Sequence, residues 1–126
     1  MQTEMNKYYE YRKKFRDLYA KEPCSSNDLG SSILEIKDKN KCVVSISMDL
    51  NAYYIEVEFD ESTDPGKIKK VTDSIVRRIG YFLSANLDSI EVSSEEERDD
   101  IERTLNEPIA LYCDYFVIGN MLKINL

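Results

Sequence analysis

A long amphipathic segment, residues 64–86, constrains the fold of this 126-residue chain more than any other feature of the sequence. Asp64 and Pro65 predict where a helix begins: an Asp side chain can accept hydrogen bonds from the free amides of a first turn, and a Pro there has no amide proton to leave unpaired. Apolar side chains then recur every three or four residues on one face: Ile68, Val71, Ile75, Ile79, Phe82 and Leu83. A helix of this length can lie across a whole sheet, so we expect a helix layer packed on a β-sheet.

Alternating apolar residues before this helix predict a meander of three strands. Residues 33–37 form a short, partly alternating strand. Residues 42–48 and 53–59 alternate cleanly. Their inward side chains are Cys42, Val44, Ile46 and Met48 in one strand and Tyr53, Ile55, Val57 and Phe59 in the next. The links are short and polar, which favours antiparallel pairing with one buried and one exposed face.

The segment before the meander is predicted to be a helix followed by a loop. Residues 3–21 carry an apolar stripe made of Met5, Tyr8, Tyr11, Phe15 and Leu18. Basic residues lie between these aromatic side chains, a mixture that can bind single-stranded nucleic acid. Packing is the favoured interpretation, because burial of the stripe leaves only the bases outside. Pro23 is expected to end the helix, and residues 24–32 have a loop composition.

A surface helix is predicted between the long helix and the end of the chain. Residues 87–92 are compatible with a brief strand before it. Ser94 and Glu97 have the spacing of a capping box, which begins a helix by pairing its free amide groups. The helix that follows offers only Ile101 and Leu105 for burial, so we expect it to lie on the surface along one thin edge.

The last residues predict a β-hairpin with strands at residues 109–118 and 121–126. Gly119 and Asn120 form the two-residue loop between them, with Gly where a type II′ turn needs it. One face of the hairpin carries Leu111, Cys113, Tyr115, Val117, Leu122, Ile124 and Leu126. The opposite face carries Tyr112, Asp114, Phe116, Ile118, Met121 and Lys123. That second face is too apolar for open water, so either a helix of the same chain covers it or a partner does.

These elements give the order α-β-β-β-α-(β)-α-β-β. We predict a single α+β domain over residues 1–126, with an antiparallel sheet of five to six strands packed against the long helix. The helix, three-strand meander and helix of roughly the first ninety residues resemble the type III secretion chaperones in topology. This resemblance implies a small, acidic and usually dimeric protein that escorts another protein.

The residue types that most catalytic and cofactor sites need are missing. The chain has no histidine, which excludes Ser-His-Asp triads, Cys-His pairs and His-ligated zinc. Cys24, Cys42 and Cys113 lack the paired spacing of a disulfide framework or a zinc site. The four glycines are isolated, so no phosphate-binding loop is predicted. We therefore expect no cofactor and no metal ion.

The overall charge indicates what kind of partner the chain attracts. Seventeen basic and 24 acidic residues give a net charge of −7. Such a protein repels phosphate backbones and attracts basic proteins, so we expect a basic protein partner and no nucleic acid. The sequence has neither a membrane-spanning apolar run nor a signal-type stretch after Met1, and its thiols suit a reducing compartment. A cytoplasmic location is therefore expected.

Most of this negative charge lies in residues 95–107, which contain seven acidic residues and only two basic ones. One interpretation is a solvated helix face, and the other is a docking surface for a basic partner. The candidate partner-binding acids are Glu95, Glu96, Glu97, Asp99, Asp100 and Glu102. The candidate apolar anchors, provided that they are exposed, are Tyr112, Phe116 and Ile118.

The favoured function is a non-enzymatic, acidic protein-binding module. The chain is similar in size, acidity and lack of catalytic motifs to the immunity proteins of bacterial toxin systems, which neutralise a basic toxin domain by surface complementarity. A secretion chaperone is the alternative. A remote alternative is an enzyme in which Glu56, Glu58 and Asp60 hold a metal ion or divide the acid and base roles. A homodimer through the outward face of the terminal hairpin is also expected as one way to cover that face.

Overall fold

The computed structural model describes the backbone of residues 2–21 and 23–126 and the side chains of residues 7–19 and 29–126. The described helices are α1 (Gln2–Lys21), α2 (Pro23–Lys39), α3 (Pro65–Ala85) and α4 (Glu95–Leu105). The described strands are β1 (Val43–Asp49), β2 (Tyr54–Phe59), β3 (Asp114–Ile118) and β4 (Met121–Asn125). The predicted α+β class is confirmed, and the described sheet has four strands instead of the five to six expected.

All strand pairs are antiparallel, and the sheet order is β1-β2-β4-β3. Ser47, Glu56, Lys123 and Phe116 lie side by side across the sheet and mark its outer face. The inner face packs under the helices, and its fully buried side chains include Ile55, Val57, Phe59, Leu122 and Ile124. Burial of each such side chain contributes about 1.5–3 kcal/mol, so this layer contributes substantially to stability.

The long helix α3 begins and packs as the sequence predicts. Asp64 Oδ1 accepts a hydrogen bond from the amide nitrogen of Lys67 at 3.0 Å, and Pro65 is the first helical residue. Every residue of its predicted apolar stripe is buried. At the other end, Asn86 Nδ2 donates to the Phe82 carbonyl at 2.8 Å. Neither α3 nor another helix of the described residues is long and apolar enough to cross a membrane.

The apolar stripe of α1 is confirmed where its side chains are described. Tyr11, Phe15 and Leu18 are buried, Tyr8 is partly buried against the core, and Met5 lies outside the described side chains. Tyr19 is buried as well, and its ring stacks on Phe82 of α3 with centroids 5.8 Å apart. Because this stack joins α1 to the long helix, the two helices belong to one core.

The loop predicted for residues 24–32 and the strand predicted for residues 33–37 are both wrong, because one helix, α2, replaces them. Leu29, Ile33 and Ile36 are its buried residues. Their spacing of four and then three residues is that of a helix face, whereas a strand would bury alternate residues. The short apolar run was too brief to separate the two patterns.

Packing explains why α2 forms despite a composition that favours loops. Serines and Gly30 have low intrinsic helix propensity, but contact with α3 compensates for it. Arg78 Nη1 donates to Ser32 Oγ at 2.9 Å and lies 3.6 Å from Glu35 Oε2. The first helix ends at Lys21 as predicted, and Pro23 is the first residue of α2, a position at which a Pro leaves no amide unpaired.

The brief strand predicted for residues 87–92 is also wrong. A 3-10 turn, Leu87–Ser89, occupies its first half, and Leu87 and Ile90 are buried in the core. Two described helices and two described strands precede α3. The described residues therefore do not have the topology on which the resemblance to secretion chaperones depended, which was a helix, a three-strand meander and a helix.

A β-bulge interrupts β1 where the sequence alternates cleanly. Val43 pairs with Phe59 and Ser45 pairs with Glu58, so Val44 is an extra residue between the two pairs. Val43 is consequently buried, while Val44 is 51% exposed. The predicted inward orientation of Val44 is wrong for this reason.

Candidate protein-binding surfaces

The acidic helix α4 begins with a side-chain cap. Ser94 Oγ accepts a hydrogen bond from the Glu97 amide at 3.1 Å, and the Glu97 carboxylate accepts from the amide and hydroxyl of Ser93. The acids of this first turn also lie at the positive end of the helix dipole. Ile101 and Leu105 are buried as predicted, with Thr104 beside them. The described contacts therefore fix which side of α4 faces the solvent.

Two of the six candidate acids hold α4 on α1. Tyr11 donates a hydrogen bond from its hydroxyl to Asp100 Oδ2 at 2.6 Å, and Lys7 Nζ lies 3.0 Å from the same oxygen. Lys14 Nζ lies 3.2 Å from Glu97 Oε1. These carboxylates are occupied by neighbours within the domain, so a partner does not meet them as free charges.

The pKa values of these groups shift in the directions that their contacts require. The hydrogen bond from Tyr11 lowers the pKa of Asp100 below its ordinary value of 3.8. The hydrogen bond from Ser93 lowers the pKa of Glu97. Burial, and then the hydrogen bond to Asp100, raises the pKa of Tyr11. At neutral pH the acids are therefore ionised and Tyr11 remains a donor.

The remaining four acids form what we call the α4 acidic face: Glu95, Glu96, Asp99 and Glu102. All four are exposed, and none of their carboxylates forms an ion pair or accepts a hydrogen bond from the described residues. The two arginines of α4 are used elsewhere, since Arg98 lies 2.6 Å from Asp88 and Arg103 lies 3.4 Å from Asp100. The α4 acidic face is thus a group of four exposed carboxylates on one short, capped helix. None of them forms an ion pair within the described residues, and Arg98 acts on Glu102 and Glu95 only through its charge.

The bases of α1 neutralise other parts of the same domain. Arg12 Nη1 lies 2.7 Å from Asp114 Oδ2, and Arg12 Nη2 donates to the main-chain oxygens of Asn125 and Leu126 at 3.2 and 3.0 Å. Arg16 Nε donates to the Leu126 oxygen at 3.2 Å. The apolar stripe of the sequence predicts these bases on the solvent side of the helix. Instead, α1 joins α4 to the ends of β3 and β4, and this use removes free positive charge from the surface.

A second exposed surface lies on the outer face of the terminal hairpin. We call Phe116, Ile118 and Met121 the outer apolar patch; they are 46%, 70% and 38% exposed. The predicted pairing of Ile118 with Met121 is confirmed, and it places these side chains together. Within the described residues no helix covers the patch, so Phe116 and Ile118 meet the condition for a candidate anchor.

Tyr112 does not meet that condition because it is buried. Its hydroxyl donates to the Val76 carbonyl of α3 at 3.0 Å, and its ring lies against Gly80. β3 begins at Asp114, so Tyr112 precedes the strand and does not follow its alternation. The predicted common face of Tyr112 and Phe116 is therefore wrong, and Tyr112 packs between the hairpin and the long helix.

The candidate binding residues thus lie in separate places. The α4 acidic face belongs to the helix layer, which packs on the inner face of the sheet. The outer apolar patch lies on the opposite face. A small flat partner surface cannot contact both at once, so the two surfaces are independent candidates.

The carboxylates considered for an enzyme have structural contacts. Glu56 Oε1 lies 3.7 Å from Lys123 Nζ, and Glu58 Oε1 accepts from Ser45 Oγ at 3.4 Å. Asp60 Oδ1 accepts from the amide and the hydroxyl of Ser62, which lowers its pKa. No group of three or more Cys, Asp or Glu residues able to hold a metal ion occurs in the described part of the chain.

A cleft of about 660 Å³ lies elsewhere, between α2 and α3. Its polar lining includes Lys39, Arg77 and Arg78. All residues that line it belong to α2, to α3 or to the residue directly after each helix, so Glu56 and Glu58 of the sheet are not among them. The cleft and the strand carboxylates therefore do not form one site.

Comparison with known proteins does not add to these observations. No protein-family model matches the chain, and neither the curated proteins nor the solved structures provide a match.

Proposed function

We propose that this chain is a non-enzymatic, acidic protein-binding module that neutralises a basic partner, in the manner of the immunity proteins of bacterial toxin systems. The partner in this proposal is a basic toxin domain. One observation carries the proposal: the α4 acidic face presents four exposed carboxylates without an ion pair in the described residues, whereas the other acids of α4 are used inside the domain.

The α4 acidic face suits this function because its charges are fixed in place. The cap at Ser94 and the hydrogen bond between Tyr11 and Asp100 hold α4 in one orientation, so its outward carboxylates form a fixed pattern. Complementary charge accelerates encounter and suppresses wrong partners more than it raises affinity. Such steering weakens at high salt, because exposed charges are screened within about 8–10 Å at physiological ionic strength.

The outer apolar patch has a separate role in the proposal. Phe116 and Ile118 are anchors for a contact on the outer sheet face, independent of α4. A cytoplasmic location also belongs to the proposal. We do not propose the metal-dependent enzyme, because Glu56, Glu58 and Asp60 have structural contacts, nor the secretion chaperone, because the topology behind that resemblance is absent from the described residues.

A capture experiment with matched variants tests this function. The test variant carries Glu95→Lys, Glu96→Lys, Asp99→Lys and Glu102→Lys. The control variant makes the same change in net charge at four exposed acids outside α4: Asp17, Asp38, Glu61 and Glu91. Each protein is immobilised and exposed to lysate of the source organism at low salt, about 50 mM.

We expect the wild type and the control variant to retain the same basic protein and the test variant to lose it. Retention of that protein by the test variant contradicts the proposal, and so does capture of acidic proteins alone. Loss by both variants also contradicts it, because net charge rather than the α4 acidic face would then be responsible. Thermal unfolding of each variant shows whether a loss of capture reflects a loss of folding.

A further inference from the structure

β3 is an unpaired edge of the sheet and its residues are exposed on both faces. It is the last strand in the order β1-β2-β4-β3, so only one of its sides is bonded within the described sheet. All five of its residues are exposed, and the four that follow Asp114 are the apolar or aromatic residues Tyr115, Phe116, Val117 and Ile118. This combination exposes main-chain donors and acceptors beside apolar side chains.

The hydrogen-bond ladder shows which main-chain groups point outward. The Phe59 amide donates to the Asn120 carbonyl, and the Leu126 amide donates to the Tyr53 carbonyl, so the even-numbered residues at this end of the chain bond towards β2. The odd-numbered residues of β4 consequently bond towards β3. Their partners there are Ile118, Phe116 and Asp114.

It follows that the main-chain groups of Tyr115 and Val117 point away from β4, towards the open edge. Each residue provides one N–H and one C=O. The edge therefore presents two donors and two acceptors, with the side chain of Phe116 between them on the outer face.

The edge of β3 also lacks the features that normally prevent strand pairing. It contains no lysine, no proline and no bulge. Asp114 is its only charged residue, and Arg12 neutralises it at 2.7 Å. The opposite edge of the sheet, β1, carries the bulge at Val44. The contrast indicates that β3, and not β1, can accept another strand.

We propose that two copies of this chain associate by antiparallel pairing of β3 with β3, across a two-fold axis that passes beside Phe116. Tyr115 of one copy then lies opposite Val117 of the other. The two donors and two acceptors on each edge match, which gives four main-chain hydrogen bonds and a continuous sheet of eight strands. This inference does not depend on the α4 acidic face, which carries the proposed function, because it uses neither α4 nor its charges.

A second copy fits this edge better than a basic partner does. The edge carries almost no uncompensated charge, so it offers a basic protein no electrostatic attraction. Under the two-fold axis, Phe116 lies opposite Phe116 of the second copy at a non-hydrogen-bonded position, where Cα atoms are about 4.5 Å apart. Aromatic pairs are favourable cross-strand neighbours, and the outer apolar patches of the two copies become one surface.

The association is weak and depends on salt. A strand of five residues buries less surface than a standard interface, which buries about 800 Å² on each partner. We therefore expect dissociation constants in roughly the micromolar range. Each copy carries a net charge of −7, and the copies repel one another at long range. Added salt therefore strengthens the dimer, by the screening of this repulsion.

Sedimentation equilibrium of the full chain tests the proposal, from about 1 to 500 µM protein and from about 50 to 500 mM salt. The expected average mass rises from 14.7 kDa towards twice that value with concentration, and it rises earlier at high salt. Val117→Pro removes an outward N–H without removing a bond to β4, so the variant is expected to weaken the dimer at least tenfold. Val44→Ser, on the opposite edge, is the matched control and is expected to dimerise like the wild type.

A disulfide at the two-fold axis is a second test that remains informative if Val117→Pro fails to fold. Phe116→Cys places two thiols at a Cα separation that a disulfide accepts, so we expect a covalent dimer through residue 116 on mild oxidation. Ser47→Cys, on the outer face of β1, is the control; it keeps the β3 edge and is expected to form no covalent dimer through residue 47. A monomer at all concentrations and salts overturns the proposal. So does a dimer that Val117→Pro leaves intact, or equal crosslinking of both Cys variants.

Discussion

Tyr11 and Asp100 are 89 residues apart in the chain and are joined by a hydrogen bond of 2.6 Å from the tyrosine hydroxyl to Oδ2. This contact divides the acids of α4 into two groups. Asp100 and Glu97 face α1 and stabilise the fold, while the α4 acidic face points to the solvent. The proposed function depends on this division, because only the second group is free to meet a partner.

Tyr11→Phe is expected to lower the free energy of unfolding by about 1–3 kcal/mol, because it removes a partly buried hydrogen bond to a charged acceptor. Urea denaturation measures the change. Tyr9→Phe is the matched control, since Tyr9 lies on the same helix and the residue is 59% exposed. Equal effects of the two substitutions would show that the Tyr11 hydroxyl contributes nothing specific.

Stability is expected to fall on the acid side through Asp100 and Glu97. Both carboxyl groups have folded pKa values below their ordinary 3.8 and 4.5, so their contribution is complete above about pH 5.5 and is lost as the pH falls through the lowered values. Asp100→Asn removes this charge. The difference in unfolding free energy between wild type and variant is therefore expected to shrink from about pH 7 to about pH 3. A difference that stays constant over this range contradicts the assignment.

Gly80→Ala is expected to destabilise the protein by about 1–3 kcal/mol, because a Cβ atom at this position would lie 2.6 Å from the Tyr112 hydroxyl oxygen. Tyr112 would then have to move and lose its hydrogen bond to Val76. Gly30→Ala is the control in α2, where the nearest atom would be Met48 Cε at 3.7 Å. That change is expected to raise the melting temperature slightly, since alanine favours helix. Similar melting temperatures for the two variants would contradict the packing described for Tyr112.

Arg12→Lys is expected to destabilise the attachment of α1 to the terminal hairpin, although it preserves the charge. Arg12 donates from two nitrogens to Asp114 and to two main-chain oxygens, and a lysine ammonium cannot reproduce this planar fork. Hydrogen exchange of β3 and β4 amides is expected to accelerate. Arg103→Lys, at a residue with one exposed contact, is the control and is expected to leave these rates unchanged. Unchanged exchange in Arg12→Lys would contradict the role given to α1.

The parts of the fold that the sequence predicts are those with a long or a local signal. The helix after Asp64 has both an N-cap and a six-residue apolar stripe, and the hairpin register follows from the two-residue loop at Gly119. In both cases short-range chemistry determines the structure, and distant contacts only confirm it.

The parts that could not be predicted depend on distant contacts. α2 forms because it packs on α3, not because its serines favour a helix. The sequence alternates regularly through Val44, but the bulge there turns this one side chain to the opposite side of the strand. Tyr112 is buried because its hydroxyl meets α3, 36 residues away in the chain.

The candidate site could be predicted only in part, because its arrangement also depends on distant contacts. The concentration of acids in residues 95–107 was visible in the sequence, but their division by α1 was not. A signal for it does exist, since Lys7, Tyr11 and Lys14 are spaced as one helix face and Glu97 and Asp100 as another. Nothing local specifies that these two faces meet.

The association rate of the captured basic protein with this chain, measured as a function of salt, tests the central claim most directly. If the α4 acidic face steers the partner, the rate constant for the wild type falls at least about tenfold between roughly 50 and 500 mM salt. The rate constant of the variant with Glu95→Lys, Glu96→Lys, Asp99→Lys and Glu102→Lys is already low at low salt, and it falls less as salt is added. Equal rate constants and equal salt dependence for the two proteins would contradict the claim.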